Sequence, residues 1–260
     1  MIRVVLLTSS SLRHKYFSAR FFNSKKINHI CSFEEDNSAF HNDKKKKLIY
    51  KHETQRHKYE IKSFKKYLIK SEKFRVIKVK KGAINNSSNI NLIKKMKPDL
   101  IVSYGCSIIN EKLIKEFRNR FLNIHLGLSP YYKGAGTNFF PFVKNELHFL
   151  GATLMFINKG VDTGKIIHQI RPEIYLSDNI QTIGNRIIKK IISDTIKIIS
   201  LKKLVASNLK TSYKCKTFKK NDFNENSLKL AKKNLKNKII KKFLKKKNYF
   251  NKKFPIIEII

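Results

Sequence analysis

Four short apolar runs, Ile2–Thr8, Ile27–Phe33, Phe74–Val79 and Leu100–Tyr104, recur along the first hundred residues, separated by longer polar stretches. No other feature constrains the fold as much. A serine turn and a helix from about Leu12 to Asn23 follow the first run. A helix over Asn42–Lys70 is expected from Leu48, Ile49, Ile61, Phe64, Tyr67 and Leu68, which fall loosely at helical spacing, and another is ended by Pro98. Strands joined through helices make crossover connections, so the expectation is an α/β fold with a mostly parallel twisted sheet flanked by helices.

The pattern changes after Tyr104. Phe121–Gly127 reads as a strand, Thr137–His148 as a helix, and "FLGATLMFINKGVDTGKIIHQIRPEI" as two strands around a glycine loop. Asp178 is the expected N-cap of a long helix with Ile183, Ile187 and Ile191 on one face. Residues 201–260 hold one expected lysine-rich helix, about Ser227 to Lys246, and no Pro- or Gly-rich linker sets them apart. The organisation expected is a main unit over 1–200 and a small lysine-rich helical extension over 201–260.

Charge raises a rival class. The 260 residues carry 57 Lys and Arg against 18 Asp and Glu, a formal charge of +39, which ordinarily suggests nucleic acid or another acidic partner. Only 9 of those 57 are Arg, and lysine is spread through every expected helix, so the charge reads as compositional enrichment and not as a phosphate-binding footprint. Cys31, Cys106 and Cys215 lie far apart and form no C-x-x-C pair, which argues against a disulfide framework or zinc site and fits a reducing cytoplasm. The apolar run Val4–Leu7 is too short for a signal-peptide core. No segment approaches the roughly 20 apolar residues that span a bilayer, so no membrane association is expected.

The chemistry concentrates in "FLNIHLGLSPYYKGAG", Phe121 to Gly136. Alternation along a strand points Asn123 and His125 one way and Leu122, Ile124 and Leu126 the other. A strand histidine is most often packed core. Here the strand runs into a glycine-marked loop of the kind that brings backbone close to a ligand, and "NKGVDTGKI" places one carboxylate, Asp162, between Gly160 and Gly164. An amide to meet an oxyanion, an imidazole to move protons and a carboxylate to orient it are the parts of an acyl-transfer site that uses no enzyme nucleophile. His125 and Asp162 are expected to converge with Asn123 beside the ring. His41, His52 and His57 sit among lysines and read as surface.

Together, "NIHLGLSPYYKGAGTNFF" and "GATLMFINKGVDTGKIIHQ" resemble the 10-formyltetrahydrofolate-dependent formyltransferases, whose signature joins an N-x-H strand, a Pro and Arg/Lys-Gly loop and a D-T/S-G loop. The resemblance is strong from Pro98 to Glu173, weaker before it and absent over the tail. It implies a Rossmann-like formyltransferase fold with its catalytic domain over 1–200, and Asn123, His125 and Asp162 as the catalytic trio. The formyl donor it implies is 10-formyltetrahydrofolate, with no metal. The pteridine would lie against main chain at Tyr104–Ile109 and Asn158–Asp162, which makes Tyr104, Cys106, Ser107, Ile108, Ile109 and Gly160 donor-binding candidates; simple packing is the other reading of Cys106 and Ile108. Two departures bear on the acceptor: Leu128-Ser129-Pro130 stands where the family commonly has L-L-P, and Lys133 stands where Arg is usual.

The turn "TSSSLRH" occupies the place after the first strand where doubly wound proteins bind anions, so Ser9, Ser10, Ser11 and Arg13, with Lys133, are candidate acceptor contacts. A serine-capped helix is the other reading. Among the family's acceptors, the tail lacks the alternating pattern of the barrel that the methionyl-tRNA enzyme carries, and the turn lacks the purine enzyme's glycines. By elimination the expected acceptor is a small-molecule amine such as a nucleotide-linked amino sugar, with tRNA disfavoured. A formylfolate hydrolase and a non-catalytic basic RNA-binding protein are the remaining alternatives.

Overall fold

The computed structural model describes residues 1–36, 47–68 and 74–260. Strand β1 (Ile2–Ser9) leads into α1 (Leu12–Phe22), and β2 (Ile27–Glu35) is followed by α2 (Lys47–Leu68) and β3 (Val76–Val79). Then come α3 (Ser87–Lys95), β4 (Leu100–Ser103), α4 (Glu111–Glu116) and β5 (Phe121–His125). Beyond them lie β6 (Tyr132–Gly134), α5 (Phe140–Lys144), β7 (Ala152–Phe156), β8 (Ile166–Ile170) and α6 (Ile180–Ser200). The tail forms β9 (Lys216–Phe218), α7 (Glu225–Lys236), α8 (Ile239–Lys245) and α9 (Lys247–Lys253).

Seven strands form one sheet in the order β3-β2-β1-β4-β5-β7-β8. The β3-β2-β1-β4-β5 pairings are all parallel, as the crossovers require, and β7 runs antiparallel to both β5 and β8. Alternation along β1 divides the core: Val4 and Leu6 join a cluster with Phe17 of α1, Phe64 of α2 and Ile187 of α6, while Val5 and Leu7 join Ile93 of α3 and Leu113 of α4. The sheet is therefore the middle of three layers, and both of its faces are dry.

Local chemistry moves several boundaries. The N-cap of α6 is Asn179 and not Asp178: the Asn179 side chain accepts from the Gln181 and Thr182 amides, and Thr182 returns a hydroxyl acceptor to the Asn179 amide. Asp178 is occupied instead by both arms of Arg186, at 2.8 and 2.9 Å. The helix expected over Thr137–His148 shortens to α5, with Pro141 in its first turn and Asn145 in a left-handed conformation (φ 55°) at its end. Residues 42–46 and 69–70 of the second expected helix, and His41, lie outside the described residues.

The tail departs most from its expected single helix. Lys238, in a left-handed conformation (φ 59°), and Lys246 break it into α7, α8 and α9, and β9 precedes them. Leu228, Ala231, Ile239, Ile240 and Phe243 are buried in the same cluster as α1 and α6. The Asn234 amide donates to the Phe142 and Val143 carbonyls, 2.8 and 3.0 Å away, satisfying the end of α5. His52 is also not at the surface: it is buried between Phe139 and Phe223, joining α2 to α5 and the tail. Among the described residues no helix is long and apolar enough to cross a membrane.

Candidate active site

Strand β5 is central in the sheet, and its alternation sends Leu122 and Ile124 into the larger core. Asn123 and His125 are left on the opposite face. Strand β7 pairs antiparallel to β5, with Phe156 opposite Leu122 and Thr153 opposite His125, so the loop after β7 starts near the beginning of β5. It then returns to His125: the Asp162 carboxylate lies 3.1 Å from the His125 Nδ1, with both side chains largely buried. That return needs a close backbone approach, because a Cβ on Gly164 would sit 1.6 Å from the Phe156 carbonyl oxygen. Asp162 itself takes a left-handed conformation (φ 52°), which Asp tolerates better than most residues.

Each member of the trio is held by further bonds. The Asp162 Oδ2 that meets His125 also accepts from the Gly134 amide at 2.8 Å. On the other side of the ring, Nε2 lies 3.0 Å from the Tyr132 carbonyl oxygen. Both ring nitrogens therefore face acceptors, and a neutral imidazole can donate to only one of them at a time. The Ser103 hydroxyl, fully buried at the end of β4, donates to the Asn123 carboxamide oxygen at 2.9 Å and lies 3.1 Å from the Leu122 carbonyl. With its oxygen engaged, Asn123 retains its NH2 as a donor.

Beside the trio is a cleft of about 150 Å³ lined by Asn123 and Asp162, by Cys106, Ser107, Ile108 and Ile109 after β4, and by Asn158 to Gly164. Exposed apolar side chains, Ile108 at 80% and Val161 at 48%, stand on its rim beside Lys159. The strand-end segment is anchored by Glu35, whose two oxygens accept from the Gly82 amide (2.7 Å) and the Ser107 amide (2.6 Å). Asn85 adds a donor to the Ile108 carbonyl at 2.9 Å. Burial, then the Glu35 carboxylate, pushes the Cys106 thiol up to about 12, so it stays protonated and is no nucleophile. Tyr104 does not line this cleft; its ring packs on His14 and Phe17. Gly160 does line it.

A second cleft, of about 220 Å³, opens where β1 meets α1 and is lined by Ser10, Ser11, Lys15, Glu53, Arg56, His57 and Glu60. Ser9 and Ser11 place their hydroxyls 2.6 and 2.9 Å from the His14 Nδ1. Burial, then Arg13 and Arg56, holds His14 well below the usual imidazole range, so it is neutral. Arg13 does not line the cleft, since its guanidinium pairs with Glu60 at 2.5 Å. Lys133 lines neither cleft and stands in β6 opposite Thr217. Sequence reasoning missed Glu53, Arg56 and Glu60; their signal was charge spaced three and four residues apart on one helix, which a solvated face also shows. Ser103, Glu35 and Asn85 carry no local signal.

A doubly wound sheet with an antiparallel edge, and a paired histidine and carboxylate beside an asparagine, define a narrow structural class. A sequence profile described as formyl transferase matches residues 36–196, more than half of the chain, and the chain belongs to that family. Methionyl-tRNA formyltransferase of Finegoldia magna is 29% identical over 129 residues, 46% of this chain and 41% of that one. The Syntrophomonas wolfei protein of the same name is 34% identical over 115 residues, 42% of this chain and 34% of that one. The chain thus spans only 34–41% of the length of these curated relatives. Its fold is that of phosphoribosylglycinamide formyltransferase from Anaplasma phagocytophilum, with TM-score 0.57 and 18% identity over 84% of this chain and 98% of that one. A sugar N-formyltransferase from Shewanella sp. gives TM-score 0.55 and 16% identity over 86% and 78%.

Proposed function

We propose that this protein transfers a formyl group from 10-formyltetrahydrofolate to the primary amine of a small molecule, such as a nucleotide-linked amino sugar. The observation that carries this reading is the His125–Asp162 pair, 3.1 Å apart, with Asp162 and the strand neighbour Asn123 lining a cleft. The cleft suits the donor: a flat ring system can lie between the main chain of Cys106–Ile109 and that of Asn158–Asp162, with Ile108 and Val161 at its edges. The donor brings an activated formyl carbon. The amine nitrogen bonds to that carbon, the carbon's bond to the folate nitrogen breaks, and the proton lost by the amine ends on the departing folate nitrogen. Asn123 donates an N–H to the formyl oxygen where negative charge develops. His125 moves the proton, and Asp162 orients the ring and balances its charge.

Two features support a small acceptor. The second cleft is small, about 220 Å³, and Lys15 stands in it beside Ser10 and Ser11 while Arg56 is taken up by Glu53 and Glu60, so it suits a compact hydroxylated ligand with a single anionic handle. The second reading, methionyl-tRNA as acceptor, is favoured by the names of the curated relatives. Folate turnover against a panel of amines separates them. Nucleotide-linked amino sugars should be formylated with little dependence on ionic strength; turnover with methionyl-tRNA alone, weakening steeply with salt, would establish the second reading in place of the first.

A further inference from the structure

The His125–Asp162 pair is gripped by a strand only three residues long. Tyr132 of β6 presents its carbonyl to the His125 Nε2 at 3.0 Å, and Gly134 of β6 presents its amide to the Asp162 Oδ2 at 2.8 Å. Three residues cannot hold a backbone in place alone. Among the described residues the ladder partner of β6 is β9, from the tail, in the register Tyr132↔Lys216, Lys133↔Thr217 and Gly134↔Phe218. The Lys216 amide donates to the Tyr131 carbonyl at 2.8 Å and the Ala135 amide to the Phe218 carbonyl at 2.9 Å, so the ladder brackets all of β6.

Glu146 fastens this ladder. Its carboxylate accepts from the Lys216 ammonium at 2.5 Å, from the Tyr213 hydroxyl at 2.9 Å and from the hydroxyl of Tyr132 itself. Burial alone would raise its pKa, but the bonds from Lys216, Tyr132 and Tyr213 outweigh it and hold the carboxyl below its ordinary range. Phe218 closes the other end, stacked on Phe140 with ring centroids 4.1 Å apart. Gly134 (φ 88°) is required here, because a Cβ would lie 2.1 Å from the Phe218 carbonyl oxygen. The glycine loop brings backbone close to the tail.

We propose that β9, fastened by the Lys216–Glu146 ion pair, is a positioning element for formyl transfer: it sets the backbone of β6, and β6 sets both partners of the His125–Asp162 pair. Lys216 and Glu146 are positioning residues that touch neither the trio nor the cleft. The inference rests on the formyl-transfer reading. Displacing the ring by a fraction of an ångström penalises the chemical step more than donor binding, which draws on Cys106–Ile109 and the rest of the Asn158–Asp162 loop besides Asp162.

The test is Lys216→Met, Glu146→Gln and Lys216→Arg in the full chain, with thermal unfolding to confirm folding. Formyl transfer and the nitrogen-15 signals of the His125 imidazole are the readouts. Lys216→Met and Glu146→Gln should lower kcat about 10- to 100-fold, with KM for formyltetrahydrofolate within about twofold. The His125 ring signals should shift in both, and Lys216→Arg should restore rate and signals together. Unmoved ring signals and unchanged kcat in folded Lys216→Met and Glu146→Gln would overturn the proposal. Failure of the wild-type protein to turn over formylfolate with any amine would instead sink the functional reading, and the ring signals would still decide whether β9 sets the pair.

Discussion

At the residue scale, Asp162 is the most exacting position, since one carboxylate oxygen serves His125 and Gly134 together. Asp162→Asn keeps the shape and tolerates the left-handed backbone, but loses the charge that balances a protonated ring. Formyl transfer should fall about 10²- to 10³-fold with the melting temperature nearly unchanged, measured by folate turnover and thermal unfolding; undiminished turnover would make the aspartate structural. Ser103 offers a subtler probe. Ser103 lines the cleft at the end of β4, and Ser103→Ala removes the donor to the Asn123 oxygen while leaving the main chain of Cys106–Ile109 and Asn158–Asp162 in place, so kcat should drop on the order of tenfold with a smaller change in KM for the folate.

At the element scale, the strands position chemistry and the caps hold helices in place. Asn179 satisfies two amides of α6 and also donates to the Tyr59 hydroxyl at 2.9 Å, tying α6 to α2. Asn179→Ala should cost about 1–2 kcal/mol in urea unfolding, and Asp178→Ala should cost less through the cap, because Asp178 serves Arg186 and the Tyr175 amide and reaches the cap only by accepting from the Thr182 hydroxyl. Equal losses with identical dependence on Arg186 would contradict that division. The loop after β7 behaves as an element too: Gly160 and Gly164 make its return to His125 sterically possible.

At the scale of the whole molecule, three buried histidines and the half-buried His29 make stability depend on pH. Burial, ahead of neighbouring cations where they exist, holds His29, His52 and His148 at about 4, and His14 well below the ordinary value of 6.5. The folded state keeps these rings neutral while the unfolded chain protonates them below about pH 6.5. Their stability contribution is therefore complete above pH 6.5 and is lost as pH falls from 6.5 toward 4, at roughly 1.4 kcal/mol per pH unit for each proton the unfolded state holds in excess. Urea unfolding across that range should show a rising slope that flattens by one proton in His52→Gln. A flat profile between pH 6.5 and 4 would mean that these rings are charged inside the fold.

Short-range regularity made much of this protein legible in its sequence. The alternation of apolar runs with helical stretches specifies parallel crossovers because few other arrangements bury those runs, and the period of two along Phe121–His125 places Asn123 and His125 on one face whatever surrounds them. The N-x-H strand and the D-T-G loop also carried the family. Tertiary structure alone decided what closes on those faces. The glycines of "YYKGAG" announce a close approach, but nothing local says that the approaching backbone is β9, some eighty residues away. His52 looks solvated among lysines, and only the packing of α2 against Phe139 and Phe223 buries it. Spacing along a chain determines which side chains share a face; which distant segment covers that face depends on how the whole chain closes, a non-local balance of burial against loop entropy that no short stretch contains.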